Sequence, residues 1–165
     1  NDLGTRTDIL YHCLWGPLFP PSIPLLRNKV SIVKTSYPYI PPFDADIKRF
    51  ADLNQDRIPF EIYDLKKYST LSSLLESRPN TGTSAIYDIL SYNVKSLHIS
   101  GITMYAGGHL KNYRKNYIFE TRQEVEEFDK VHKNHNIKNQ IEFLKNIFDD
   151  DRVTLDEQVR EAICE

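Results

Sequence analysis

One run constrains the fold of this chain more than any other: Arg78-Pro79-Asn80-Thr81-Gly82-Thr83-Ser84-Ala85-Ile86-Tyr87-Asp88-Ile89-Leu90. A turn of small and polar residues opens into an amphipathic helix, and the strand-like run Ser96 to Ile102 follows at once. The order loop, helix, strand with a small-residue helix start is how α/β folds build a pocket for a phosphorylated ligand. Free N–H groups at a helix N-terminus point at the anion, and the helix dipole favours negative charge there. Thr81, Thr83 and Ser84 add hydroxyl donors, and Gly82 lets the backbone come close. Asn80 to Thr83 also suit a plain N-cap and turn, which needs no ligand.

The flanking sequence repeats the alternation. Thr7 to Cys13 has the apolar character of a buried strand. Trp15 to Asn28 holds Pro17, Pro20, Pro21 and Pro24 and reads as a loop. Lys29 to Lys34 and Pro59 to Tyr63 read as strands. A helix begins at Asp44, and another covers Asp64 to Leu75. The central helix is expected from about Thr83 to Tyr92. A Gly, Tyr and Asn-rich loop covers Tyr105 to Tyr117. Thr121 precedes an acidic turn suited to a helix start. Asn136 to Phe148 is amphipathic, with Ile137, Ile141, Leu144 and Phe148 on one face. Arg152 to Leu155 reads as a short strand, and Asp156 as the cap of a terminal helix. Strands alternating with helices predict an α/β fold with a three-layer, mostly parallel sheet in a single domain over 1–165.

Composition excludes several function classes. With 165 residues and a net charge of −2, nothing marks the chain for nucleic acid or an anionic membrane. Its two cysteines, Cys13 and Cys164, make neither a disulfide framework nor a metal knuckle. There is no run of eighteen apolar residues, no signal-peptide pattern and no Asn-x-Ser/Thr sequon. These features are compatible with a cytoplasmic setting. Aromatic residues reach 12%. They suit sugar stacking as well as an aromatic-rich core. The opening Asn1 to Asp8 reads like the middle of a domain, so the chain is expected to be a fragment of a longer protein.

Several segments together resemble the sialyltransferase family of inverting glycosyltransferases, and especially its small relatives from algae, large viruses and marine microbes. Leu3-Gly4-Thr5-Arg6-Thr7-Asp8 resembles the tail of the family's first, donor-binding motif, a Gly-x-Lys/Arg-Thr core before a strand. Arg78 to Gly82, continuing to Ser100-Gly101-Ile102, resembles the second motif: Pro-x-Thr-Gly, a helix, then a strand ending near Gly-Phe. His109 and Tyr113 lie where the family keeps a short His/Tyr motif. His135 lies where it keeps the histidine of its last motif. The matches fall in the family's order and cover nearly the whole chain. The chain departs from the pattern in lacking the upstream Gly-Asn-Gly/Ser phosphate loop and the disulfide between the first two motifs. The Glu five residues after the last histidine is replaced by Gln140.

The resemblance implies a Rossmann-like fold of the sialyltransferase-like variant, a CMP-sugar as donor substrate, a glycan acceptor and no separate cofactor. His135 becomes the candidate base, because an imidazole titrating near neutrality can take the acceptor's proton. His132 competes with it, and a surface histidine in a polar loop is the alternative for both. Asn80, Thr81, Gly82, Thr83, Gly101, His109 and Tyr113 are implied in donor binding. Arg6, Thr7 and His12 are further candidates, His12 because ligands collect at strand C-terminal ends in open α/β sheets. His98 reads as a core or sheet-face residue. The resemblance implies a donor with a single phosphate, which fits a metal-free reaction, so no metal is expected, although Asp-x-Asp spacings occur at Asp44-Ala45-Asp46 and Asp149-Asp150-Asp151. Two other functions stay open: a transferase using another nucleotide sugar, and a catalytically inactive glycan- or nucleotide-binding remnant.

Overall fold

The computed structural model of the chain describes residues 7–14, 30–55, 57–108 and 119–164. The proline-rich run before Asn28, most of the Gly/Tyr/Asn loop, and the candidates Arg6, His109 and Tyr113 lie outside the described residues. The fold is α/β, with short parallel sheets flanked by six helices, as in Rossmann-like folds. Among the described residues the strands form two small sheets instead of the single sheet expected from their alternation with helices. Backbone proximity divides the chain into two compact units, Asn1–Thr70 and Leu71–Glu165.

The first unit carries β1 (Thr7–His12), β2 (Val30–Thr35), α1 (Asp44–Asn54) and β3 (Phe60–Glu61). The strands run parallel in the order β1-β2-β3, with Thr7 opposite Val30 and Val33 opposite Phe60. Crossing from β2 to β3 through α1 is the standard way to join parallel neighbours. Leu14, Val33, Ile47, Phe50 and Ile58 form the core, with the Phe50 and Phe60 rings 5.0 Å apart. Asn54 closes the turn into β3: its Nδ2 donates to the Ile58 carbonyl and its Oδ1 accepts from the Ile58 N–H. β1 differs from its expectation as a buried strand. It lies at the edge of this sheet, and Ile9 is 48% exposed.

α2 (Leu65–Leu75) begins after Asp64, whose carboxylate accepts from the Lys67 N–H at 2.7 Å. Its last turn belongs to the second unit, with α3 (Thr81–Leu90), β4 (Leu97–Ile99), α4 (Arg122–His132), α5 (Ile137–Ile147), β5 (Val153–Leu155) and α6 (Glu157–Cys164). β4 and β5 pair in parallel, with His98 opposite Thr154. The apolar stripes of the helices converge on one core: Ile86 from α3, Val125 from α4, Ile137 and Leu144 from α5, Val159 and Ile163 from α6, together with Ile99 and Met104.

Local chemistry fixes the helix ends. α3 starts two residues earlier than its pattern suggested, because Asn80 is the N-cap and accepts from the Thr83 N–H. Thr121 and Glu124 form a capping box on α4, and the two backbone N–H groups donated to Glu124, from Glu120 and Thr121, hold its carboxyl below the usual range. Asp156 caps α6 through the Val159 N–H. Arg122 spreads over the carbonyls of Thr103, Met104 and Ala162, tying the turn after β4 to the end of α6. No helix among the described residues is long and apolar enough to cross a membrane.

Arg152 does similar work at the far end of α3. Its Nη1 donates to the carbonyls of Leu90 and Tyr92, while Asp150 accepts from its Nη2, Nε and backbone N–H. The side-chain hydrogen bond from Arg152, then the backbone one, holds the Asp150 carboxyl down at about 2. A depressed carboxylate stabilises the fold above its unfolded value and loses that contribution as pH falls through the folded one. Asp150 should therefore add acid sensitivity between roughly pH 4 and pH 2. In thermal melts across this window, Asp150→Asn should lower the midpoint at pH 6 and flatten its fall below pH 4. Identical pH profiles for the two proteins would exclude the pair from acid unfolding.

Candidate functional site

The candidate site lies in the second unit, where residues 75–83 dock along residues 134–140. The Arg78 Nη2 donates to Asn134 Oδ1 at 2.8 Å. His135 Nδ1 bonds the Arg78 carbonyl at 2.7 Å, the Asn136 N–H donates to Ser77 Oγ at 2.9 Å, and Asn139 Nδ2 donates to the Leu75 carbonyl at 3.0 Å. Gln140 completes the set. Its Oε1 accepts from both the Asn80 N–H at 3.0 Å and the Thr83 hydroxyl at 2.9 Å. The first helical turn of α3 is thus held in place by a side chain of α5.

The geometry fixes the amide's orientation. The Asn80 N–H can only donate, so the Gln140 oxygen must face it. Gln140 is 0% exposed, and its Nε2 has no partner among the described residues. Sequence reasoning assigned it no role, although a signal was present. Gln140 falls three residues after Ile137 and four before Leu144, so a polar amide occupies the core-facing stripe of α5. Such a residue is held there by partners it must satisfy.

The same logic sets the tautomer of His135. A carbonyl only accepts, so the ring nitrogen facing Arg78 carries the proton. In the neutral imidazole the lone pair then resides on Nε2, the form a general base requires. The other histidines are engaged differently. His132 lies exposed at the end of α4, stacked on Phe128 at 4.0 Å and hydrogen-bonded to the Phe128 carbonyl. His98 faces solvent and pairs with Thr154 across the two strands at 3.0 Å.

α3 begins with unused donors. Asn80 takes the Thr83 N–H with its side chain and the Ser84 N–H with its carbonyl. The Thr81 and Gly82 N–H groups have no partner among the described residues. No acidic residue lies in the first turn of α3. The docked segments 75–83 and 134–140 carry Glu76 as their one carboxylate, against Arg78 and Lys138.

The structure brings Asn80, Thr81, Gly82, Thr83 and His135 to this place. Gly101 follows β4 in the left-handed region, φ +68°, with its N–H on Asp156 Oδ2 at 3.3 Å. Its neighbours reach α3: Asn80 Nδ2 lies 3.4 Å from Met104 Sδ, and a Cβ added at Gly82 would meet Ile102 Cδ1 at 3.3 Å. The close approach at Gly82 is therefore made by a side chain of its own fold. Thr7 and His12 belong to the first unit and stand at opposite ends of β1, about 16 Å apart at strand rise. They cannot contact one small ligand together. His12 Nδ1 accepts the Leu14 N–H at 2.8 Å, which folds the chain back at the strand's C-terminal end. Among the described residues no group of three or more His, Cys, Asp or Glu is placed to hold a metal.

No protein-family model, curated protein or solved structure matches the chain.

The docking bonds make a stability prediction. Gln140→Leu keeps the volume but strands the Asn80 N–H and the Thr83 hydroxyl, each at roughly 1–3 kcal/mol when left buried and unpaired. Removing the unpartnered Nε2 offsets part of this. Urea unfolding should show a net loss of about 2 kcal/mol. A loss within error of zero would mean that the two bonds do not hold α3.

Proposed function

We propose that the chain is a sialyltransferase-like glycosyltransferase, moving a nonulosonic acid or a similar sugar from a CMP donor to a glycan hydroxyl with inversion and without a metal. The observation that carries this reading is the docking of the α3 N-terminus onto the turn that bears His135. Residues of the second and last motifs of the resemblance, more than fifty positions apart in sequence, meet there through direct hydrogen bonds.

Each group has a defined task. The Thr81 and Gly82 N–H groups and the helix dipole receive the donor phosphate and stabilise the charge that grows on it as CMP leaves. The Thr81 hydroxyl stands in the same turn, whereas the Thr83 hydroxyl is fully buried with its proton on Gln140, so it fixes the turn and does not reach the donor. His135 Nε2 takes the proton of the acceptor hydroxyl as its oxygen attacks the anomeric carbon from the face opposite the phosphate. The new glycosidic bond forms, the bond to the phosphate oxygen breaks, and its electron pair leaves with CMP. The Arg78 carbonyl holds the imidazole in the tautomer that can act as base and stabilises the imidazolium N–H once the proton has moved. A monophosphate leaving group needs only a few donors, which a helix N-terminus supplies.

Calorimetric titration with CMP in EDTA, with UDP and GDP as controls, tests the donor class. Selective CMP binding is expected. Preference for UDP or GDP would point to a different nucleotide sugar, and no binding to any would remove the donor site from α3. His135→Ala should abolish transfer from a CMP-sugar while CMP affinity changes by less than about threefold, since only the base is lost. Unchanged turnover would exclude His135 as the base.

A further inference from the structure

Beyond the phosphate end of the site, α5 presents a second face to a groove of about 440 Å³ lined by Leu74, Asn139, Glu142, Phe143, Asn146 and Ile147. Five of these six recur at helical spacing, so they form one stripe about 12 Å long. The stripe starts at Asn139, one turn after His135. Its composition is specific. Phe143 and Ile147 are half-buried apolar surfaces, and Leu74 at 59% exposure forms the opposite wall. Between them stand two amides and one carboxylate. Asn139 spends its Nδ2 on the Leu75 carbonyl, which fixes the side chain and leaves Oδ1 as an acceptor. Neither Glu142 nor the Asn146 amide has a hydrogen-bond partner among the described residues.

We infer that this groove binds an uncharged glycan, and, resting on the transferase reading above, that it is the subsite for the acceptor. A pyranose has apolar C–H faces and a rim of hydroxyls that both donate and accept. An aromatic ring with aliphatic neighbours covers the former, and Asn and Glu side chains serve the latter. The charge distribution separates this ligand from the donor. Among the described residues Glu142 is the only charged one lining the groove, and it repels a phosphate or a sugar acid, whereas the start of α3 attracts one. Donor and acceptor are thus sorted by charge between α3 and the side of α5. A glycan lying along α5 would bring its end towards His135, which precedes the N-cap residue Asn136.

The test uses the whole chain, with the backbone amides and the Asn side-chain amides assigned by NMR, and two neutral disaccharides of different linkage, lactose and maltose. At least one should shift the Asn139 and Asn146 side-chain signals saturably. Asn146→Leu, a change at an exposed residue, should weaken that binding roughly tenfold, the loss of one well-made hydrogen bond. Absence of saturable shifts at these amides with both sugars, or affinity unaltered in Asn146→Leu, would overturn the inference. Shifts of the same amides by CMP would overturn it too, because the occupant would then be anionic. A CMP titration of the same sample separates this inference from the transferase reading. CMP shifting Thr81 and Gly82 with no sugar response in the groove removes the acceptor subsite alone. Sugar binding in the groove with no response to CMP keeps the glycan site and removes the transferase reading.

Discussion

The amide of Gln140 is the constraint on which the second unit's site depends. A helix N-terminus carries donors that must be satisfied or face solvent, and α3 begins against a packed core. Asn80 supplies one acceptor from its own side chain, but its backbone N–H needs another. That acceptor comes from α5, 60 positions later. Because the same oxygen also receives the Thr83 hydroxyl, the first turn of α3 is fixed in rotation as well as in place.

Fixing that turn also fixes its neighbour. The segment running into α3 passes Ser77 and Arg78 under the turn that leads into α5, where Asn134, His135 and Asn136 each bond it. The imidazole is therefore oriented by backbone whose course α3 dictates. An imidazole held by a carbonyl on the segment that feeds α3 keeps a constant relation to that helix. The proposed proton transfer and leaving-group stabilisation would both need that constancy, since small displacements at a reacting centre are costly.

Much of the fold was legible because local rules and tertiary packing agree. The stripe Ile137, Ile141, Leu144, Phe148 on α5 and the Thr121 start of α4 announce themselves by spacing and capping chemistry. The start of α3 was less legible: Thr81 and Gly82 are weak helix formers, and only the Asn80 cap and the support of Gln140 draw them into the helix. The edge position of β1 was not legible, since an apolar strand reads alike at the edge and at the centre of a sheet until its neighbours are known. At the site, Asn80 to Thr83 and His135 could be picked out by residue type. Their meeting could not, because it depends on bonds spanning 56 to 64 positions. At Gly82 the space a side chain would need is taken by Ile102, a packing reason for glycine that depends on a residue twenty positions away.

The amide at position 140 is consistent with the anion binding proposed for the start of α3. A carboxylate there could accept the same two bonds, and it would leave no stranded Nε2 of the kind Gln140 carries. At a position with no solvent exposure, however, it would incur the desolvation of an ionised group, which exceeds the cost of one unpartnered amide N–H. It would also place a negative charge within one turn of the α3 N-terminus, where such a charge gains roughly 0.3–1 kcal/mol from the dipole. Any anion arriving at Thr81 and Gly82 would then meet a site whose potential was already compensated, and a like charge behind it. The neutral amide holds the turn and leaves the potential intact, with one unpartnered donor as the consequence. At this fully buried position the amide avoids burying a charge, and under the proposed function the same neutrality leaves the start of α3 open to an anion.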